Sequence, residues 1–197
     1  MFNELVFSNG NPDKMYPFLG GNPYLPESIA WPTDSTGAPL LHLASLSAAF
    51  INRYIPQVQI SEEIMISLFT PYSVSSDSYI NTAMNEGGKV LAYRPSNRQV
   101  DGYGKPIFPS LLITAIENTS EDSDENGVAK IAGIPAWIQD DESRDDLTYV
   151  LQINNSRLNK AAPSHKSIFV GGMGYLLLKR NIVDEDLLAG ELVIQVS

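Results

Sequence analysis

The sequence predicts a mostly β (α+β) fold: one domain over residues 1–197, mainly antiparallel sheet with an internal pseudo-duplication and a few short helices. Three observations predict it. One order of features occurs twice. Gly20-Gly21-Asn22-Pro23, Trp31, the apolar run Leu40–Leu46 and the run Ile64–Phe69 are followed by Ala132-Gly133-Ile134-Pro135, Trp137, the run Tyr149–Ile153 and the run Gly174–Leu178. The intervals are close: 20 residues from Pro23 to Leu43 against 16 from Pro135 to Leu151, and 23 from Leu43 to Ile66 against 26 from Leu151 to Leu177. The pseudo-repeats cover approximately residues 18–95 and 128–197. Secondly, Pro12, Pro17, Pro23, Pro26, Pro32 and Pro39 exclude a long helix before residue 40. Thirdly, the apolar runs are short and bounded by turn residues, as strands are.

Residues 8–39 read as an irregular segment, with Tyr16, Phe18, Tyr24, Leu25 and Trp31 as anchors that fold it over a core. Leu40–Leu46 reads as a buried strand. Ser47 caps a short helix through Tyr54, which Pro56 ends. Ile64–Phe69 and Lys89–Tyr93 are strands, with a polar loop over Ser73–Ser78 between them. Phe108–Glu117 is apolar and in part β-branched, which favours strand over helix. Glu117–Asn126 lacks an apolar face and reads as an exposed acidic loop; Asp140–Asp146 is a second. Leu147–Ile153, Ser167–Val170, Tyr175–Lys179 and Glu191–Val196 are the later strands, and Val183–Leu188 is expected to form one helical turn stopped at Gly190.

Composition bounds the function. The chain is 43% hydrophobic, an ordinary globular value. It has no cysteine, hence no disulfide framework and no cysteine-based zinc site or nucleophile. The start has neither a basic nor an apolar leader region, and no run approaches 18 apolar residues, so the expected address is the cytoplasm. A net charge of −10 opposes nucleic acid and anionic membranes and favours encounter with a basic partner.

The chemistry-bearing patterns are few. Asp122, Asp124, Asn126 and Gly127 match the first half of an EF-hand loop, but Gly133 stands where a bidentate glutamate is needed, and helical flanks are missing. His42 lies in an apolar strand and His165 in a polar loop; no Gly-x-Ser-x-Gly elbow accompanies them. Gly171-Gly172-Met173-Gly174 and Gly102-Tyr103-Gly104-Lys105 read as turns rather than phosphate loops. Trp31 and Trp137 read as locks that hold each turn onto the sheet.

From Gly20 to Pro32, and again in Pro39-Leu40-Leu41-His42-Leu43-Ala44-Ser45-Leu46, the chain resembles the YwqG-like (DUF1963) family. The likeness continues in Ala132–Gln139, Leu151-Gln152-Ile153 and Gly171–Leu178. Ser45 stands where the family has glutamine, and Ala132 where it has the first glycine of its second turn. The resemblance brings no catalytic, cofactor or metal-ligating residues to carry over. It implies a cytoplasmic immunity protein that occludes a cognate secreted bacterial toxin, a type VI or similar effector. Glu121, Asp122, Asp124 and Glu125, with Asp140, Asp141, Glu142, Asp145 and Asp146, are the candidates for steering a basic toxin surface. The alternatives are a small-ligand-binding or scaffold protein, and a hydrolase using His42 or His165 with an acid.

Overall fold

Residues 2–196 are described by a computed structural model. The elements run β1 (Phe2–Asn9), β2 (Phe18–Leu19), β3 (Leu41–Ser47), α1 (Ala48–Tyr54), β4 (Gln59–Ile60), β5 (Met65–Thr70), α2 (Tyr79–Glu86), β6 (Gly88–Tyr93), β7 (Leu111–Asn118), β8 (Lys130–Ile131), β9 (Leu147–Asn154), α3 (Asn155–Ala161), β10 (Met173–Lys179), β11 (Asn181–Ile182) and β12 (Asp186–Gln195). Ten of the strands close into an antiparallel barrel in the order β1-β7-β2-β3-β5-β6-β12-β10-β9-β8, and β8 returns to β1. Strand β1 makes the closure. It pairs with β7 along its whole length, from Phe2 opposite Asn118 to Asn9 opposite Leu111, and offers its other side to β8. Closure leaves the ring without a free edge. Strands β4 and β11 form a separate parallel pair. Among the described residues, no helix is long and apolar enough to cross a membrane.

Side-chain alternation sorts the strands into two faces. Ile66 and Leu68 of β5, Val90 and Ala92 of β6, and Leu176 and Leu178 of β10 point into the main core. Met65 and Phe69, with Leu91 and Tyr93, face outward into a second cluster, covered by Leu25, Ile29 and Trp31 from the segment between β2 and β3. Trp31 is locked there by its indole N–H, which donates to the Leu40 carbonyl at 2.8 Å, and by an edge-on contact with Phe69. Because both faces are covered, β3 and β5 are buried at every position, and neither shows a regular apolar/polar alternation; the polar side chains they carry, His42, Ser45, Ser47, Ser67 and Thr70, are buried with the rest.

Two bulges interrupt this alternation. Ladder pairing skips Leu43 in β3, and it skips Val150 in β9. A bulge shifts the phase by one residue. His42 and Ser45 therefore share the outer face although they are three apart, as do Tyr149 and Gln152. The Leu43 carbonyl accepts from the Gly20 N–H at 2.8 Å and the Val150 carbonyl from the Ala132 N–H at 2.9 Å. Each bulge is followed by a short helix with a side-chain cap: Ser47 accepts from Phe50 N–H and Asn154 from Arg157 N–H.

The structure corrects several expectations. Ser167–Val170 is a turn, not a strand. Ser167 and Val170 take positive φ, and Ile168 and Phe169 plunge into the core; their burial gave the segment its strand-like composition. Val183–Leu188 is not helical. Asp184 turns to Arg94, Asp186 turns to Lys179, and the chain enters β12, with Gly190 inside the strand. Strand β1 and helices α2 and α3 were not anticipated.

Gly20 (φ 71°) and Ala132 (φ 63°) are both left-handed and both donate to a bulge carbonyl. A β-carbon costs about 1–2 kcal/mol in that region. Ala132→Gly is therefore expected to stabilise the protein by about 1 kcal/mol, raising Tm by a few degrees in thermal unfolding. An unchanged or lower Tm contradicts the strain assigned to Ala132.

Candidate functional site

The second acidic loop is carried by an irregular strap, residues 132–140, laid across the outer faces of β9, β10 and β12. A strap has backbone N–H and carbonyl groups without ladder partners, and buried ones need substitutes. Three outward side chains provide them. The Gln152 amide, fully buried, accepts from Ala136 N–H at 2.9 Å and from the Tyr149 hydroxyl at 3.2 Å. It donates to the Asn126 and Val128 carbonyls at 3.0 and 2.9 Å. These four bonds use its whole capacity. The Tyr175 hydroxyl donates to the Ala136 carbonyl at 2.5 Å and accepts from Ile138 N–H at 3.2 Å; burial pushes it up to about 12. Gln195 accepts from Ile138 and Gln139 N–H at 3.0 and 3.1 Å and donates to the Asp140 carbonyl at 2.6 Å. Trp137 packs against Tyr175, ring centroids 4.3 Å apart and ring planes tilted by 40°.

Asp140 thus leaves a fixed anchor. Asp140, Asp141, Asp145 and Asp146 are exposed, and Glu142 is half-buried. Hydrogen bonds from Ser143 hold the Asp141 carboxyl below its ordinary range. Arg144 ties the loop down by a 3.0 Å contact with Glu191 of β12 and a 3.5 Å contact with Glu142. Such exposed pairs orient more than they stabilise. The loop walls one side of a groove of about 550 Å³ lying over the β6–β12 seam, with Met84, Leu187 and Leu188 on its apolar surface.

The first acidic segment stands elsewhere. Glu121, Asp124 and Glu125 are exposed on the connection between β7 and β8, and none lines the groove. Asp122 is a correction: it is not a surface acid. Its side chain is 2% exposed and pairs at 2.6 Å with the wholly buried Lys130 ammonium; it also accepts from Ile134 N–H at 2.7 Å and from Asn126 at 3.2 Å. Burial alone would raise its pKa, but Lys130 and these donors outweigh it and hold the carboxyl below its usual value. The Lys130 ammonium also lies over the Phe2 ring, 5.3 Å from its centroid. Asp122 thus ties the β7–β8 connection to the barrel wall. The missed signal was Lys130 itself, a lone cation inside the apolar run Val128–Ile131.

Both histidines are sealed, each about 1% exposed. His42 Nδ1 donates to the Gly21 carbonyl at 3.0 Å, so Nε2 is the acceptor and takes the Ser45 hydroxyl at 2.9 Å. That fixes the rest of the chain: Ser67 donates to Ser45, and Tyr93 to Ser67, each at 2.6 Å. His165 donates from Nε2 to the Lys105 carbonyl at 2.9 Å and accepts from Ser164 at 3.0 Å. Neither imidazole is hydrogen-bonded to a carboxylate among the described residues. The bonds of His42 pin the Gly20-Gly21 turn to β3, as Gln152 pins the strap to β9.

No protein-family model and no curated protein matches this chain.

Two predictions follow from these buried groups. Lys130→Met leaves Asp122 charged and unpaired, and is expected to cost about 3–5 kcal/mol in urea unfolding. Adding Asp122→Asn should recover much of that. A single-variant loss under about 1 kcal/mol contradicts the pairing. Burial also pushes His42 down to about 4 from 6.5, against the bond to Gly21 that favours its protonation. Between those values the unfolded chain binds a proton that the folded chain refuses, so stability falls as pH falls, by about 3 kcal/mol in all. The depressed carboxylates lose their contribution only below 3.8, leaving this window to His42. Denaturation midpoints measured from pH 6.5 to 4 should slope in the native protein and flatten in His42→Gln; equal slopes contradict the assignment.

Proposed function

We propose that the protein is a YwqG-like immunity protein of the bacterial cytoplasm, which neutralises a cognate secreted toxin by covering its active or substrate-binding surface. It works by binding rather than by chemical transformation. The observation that carries this reading is the exposed carboxylate loop Asp140–Asp146, anchored at its start by Gln195 and standing beside a groove with apolar side chains. A fixed acidic wall on a molecule of net charge −10 accelerates encounter with a lysine- and arginine-rich surface. The family resemblance supplies the class of partner.

The pseudo-duplication belongs to the same proposal. The interval from Leu43 to Val150, the two bulged residues, equals that from Ser47 to Asn154, the two caps, and that from Ile55 to Ala162, the two helix ends. Strand β1 precedes the first pseudo-repeat yet pairs with β8 of the second, while β7 precedes the second yet pairs with β2 of the first. A duplicated ancestor whose leading strands exchanged partners accounts for that pairing.

Co-expression with the toxin encoded beside it tests the role. Growth should be restored, and a one-to-one complex should copurify. Charge reversal at Asp145 and Asp146 should slow association about tenfold or more at low salt, with little effect on folding. Growth arrest despite abundant soluble protein contradicts the proposal.

A further inference from the structure

Between Asp186, opposite Ala92, and Gly190, opposite Val90, strand β12 places three residues where β6 places one. The excess is thrown outward, and it is apolar: Leu187 is 52% and Leu188 71% exposed. Met84, near the end of α2 and 45% exposed, shares the groove with them. Lifting two leucines into water sacrifices burial that each could have had in a core. Bulges re-aim side chains, and they are over-represented beside functional sites. The ring is closed, so a partner has no strand edge to extend. Contact at this place has to be made by side chains.

We infer that the groove takes a cationic, partly aliphatic chain segment of a protein partner: an arginine- or lysine-bearing loop whose apolar side chain seats against Leu187, Leu188 and Met84. The inference rests on the binding role proposed above and assigns it to one face of the barrel. Charge decides among occupants. Lys179 is held by Asp186 at 2.7 Å, and Arg144 by Glu191 at 3.0 Å and Glu142 at 3.5 Å, so two of the groove's three cations are neutralised in place, and the carboxylates Glu86, Glu142 and Asp146 outnumber the third, Lys89. The wall then offers Glu142 and Asp146, with Asp145 beside them. A second copy of this chain would set the same carboxylates against each other, with −10 on each molecule, which opposes self-association through this face. A segment with basic residues flanking an aliphatic one meets both the rim and the leucines.

The test uses the whole ¹⁵N-labelled protein and a capped synthetic pentapeptide in which leucine alternates with arginine. Amide shifts are expected within residues 84–90, 139–147 and 187–192. Affinity should fall about tenfold or more when salt rises from about 50 to about 500 mM. Leu188→Glu should weaken it by a similar factor, as should Asp146→Lys; both positions are exposed, so the variants fold. A matched peptide with glutamate for arginine should leave the spectrum unchanged. Shifts centred on residues 121–125, or undiminished binding by Leu188→Glu, overturn the inference. In co-expression with the toxin, equal protection by the native protein and by Leu188→Glu also overturns the groove while leaving the immunity role intact. Seated peptide without protection by the native protein overturns the immunity role and leaves the groove.

Discussion

Irregular backbone laid over a sheet has to find hydrogen-bond partners, and here the sheet's own outward side chains are those partners. Gln152, Tyr175 and Gln195 take up the strap from Ala136 to Asp140, and His42 takes up Gly21. All four are buried polar groups, which are destabilising unless bonded and stabilising in sum only when the set is complete. The bulges at Leu43 and Val150 are the precondition, because they bring His42 with Ser45, and Tyr149 with Gln152, onto the covered face. Shift either register by one residue, and polar side chains turn into the main core.

This constraint couples scaffold to surface. Asp140 begins the acidic loop at a backbone carbonyl held by Gln195, near the end of the last strand. The loop therefore inherits the rigidity of the barrel, and a rigid charged wall loses less entropy when a partner arrives. Asp122 contributes differently. With Lys130 it welds the β7–β8 connection to the barrel next to the closing strand, where Lys130 lies opposite Glu4 of β1. One acidic segment is structural in part, and the other is free to meet solvent.

Much of the barrel was legible because covered strands are rich in apolar residues on both faces, with few polar side chains among them. Leu41–Ser47, Met65–Thr70 and Met173–Lys179 stand out as runs, and Ser47 announces α1. Strand β1 did not stand out: only Phe2 and Leu5 of its eight residues are fully buried, and its partners lie more than a hundred residues away. Helix α2 lacks a side-chain cap at Ser78, and α3 is capped by Asn154, which also ends a strand. The acidic loop could be read from composition. The groove could not, because Leu187 and Leu188 next to three acids resemble a helical turn until the register of β12 against β6 is known. Asp122 looked like its exposed neighbours until Lys130 was placed beside it.

Amide hydrogen exchange at Ile138 and Gln139 tests the central claim most directly, since their N–H groups rest on the side-chain oxygen of Gln195. Both amides should exchange about a hundredfold or more slowly than an unstructured loop, although neither belongs to a strand. In Gln195→Ala that protection should vanish at Gln139 and fall at Ile138, which keeps the Tyr175 hydroxyl as an acceptor, while the amides of β3 and β5 keep theirs. Free exchange at both positions in the native protein would contradict the account, because the acidic loop would then have no fixed anchor.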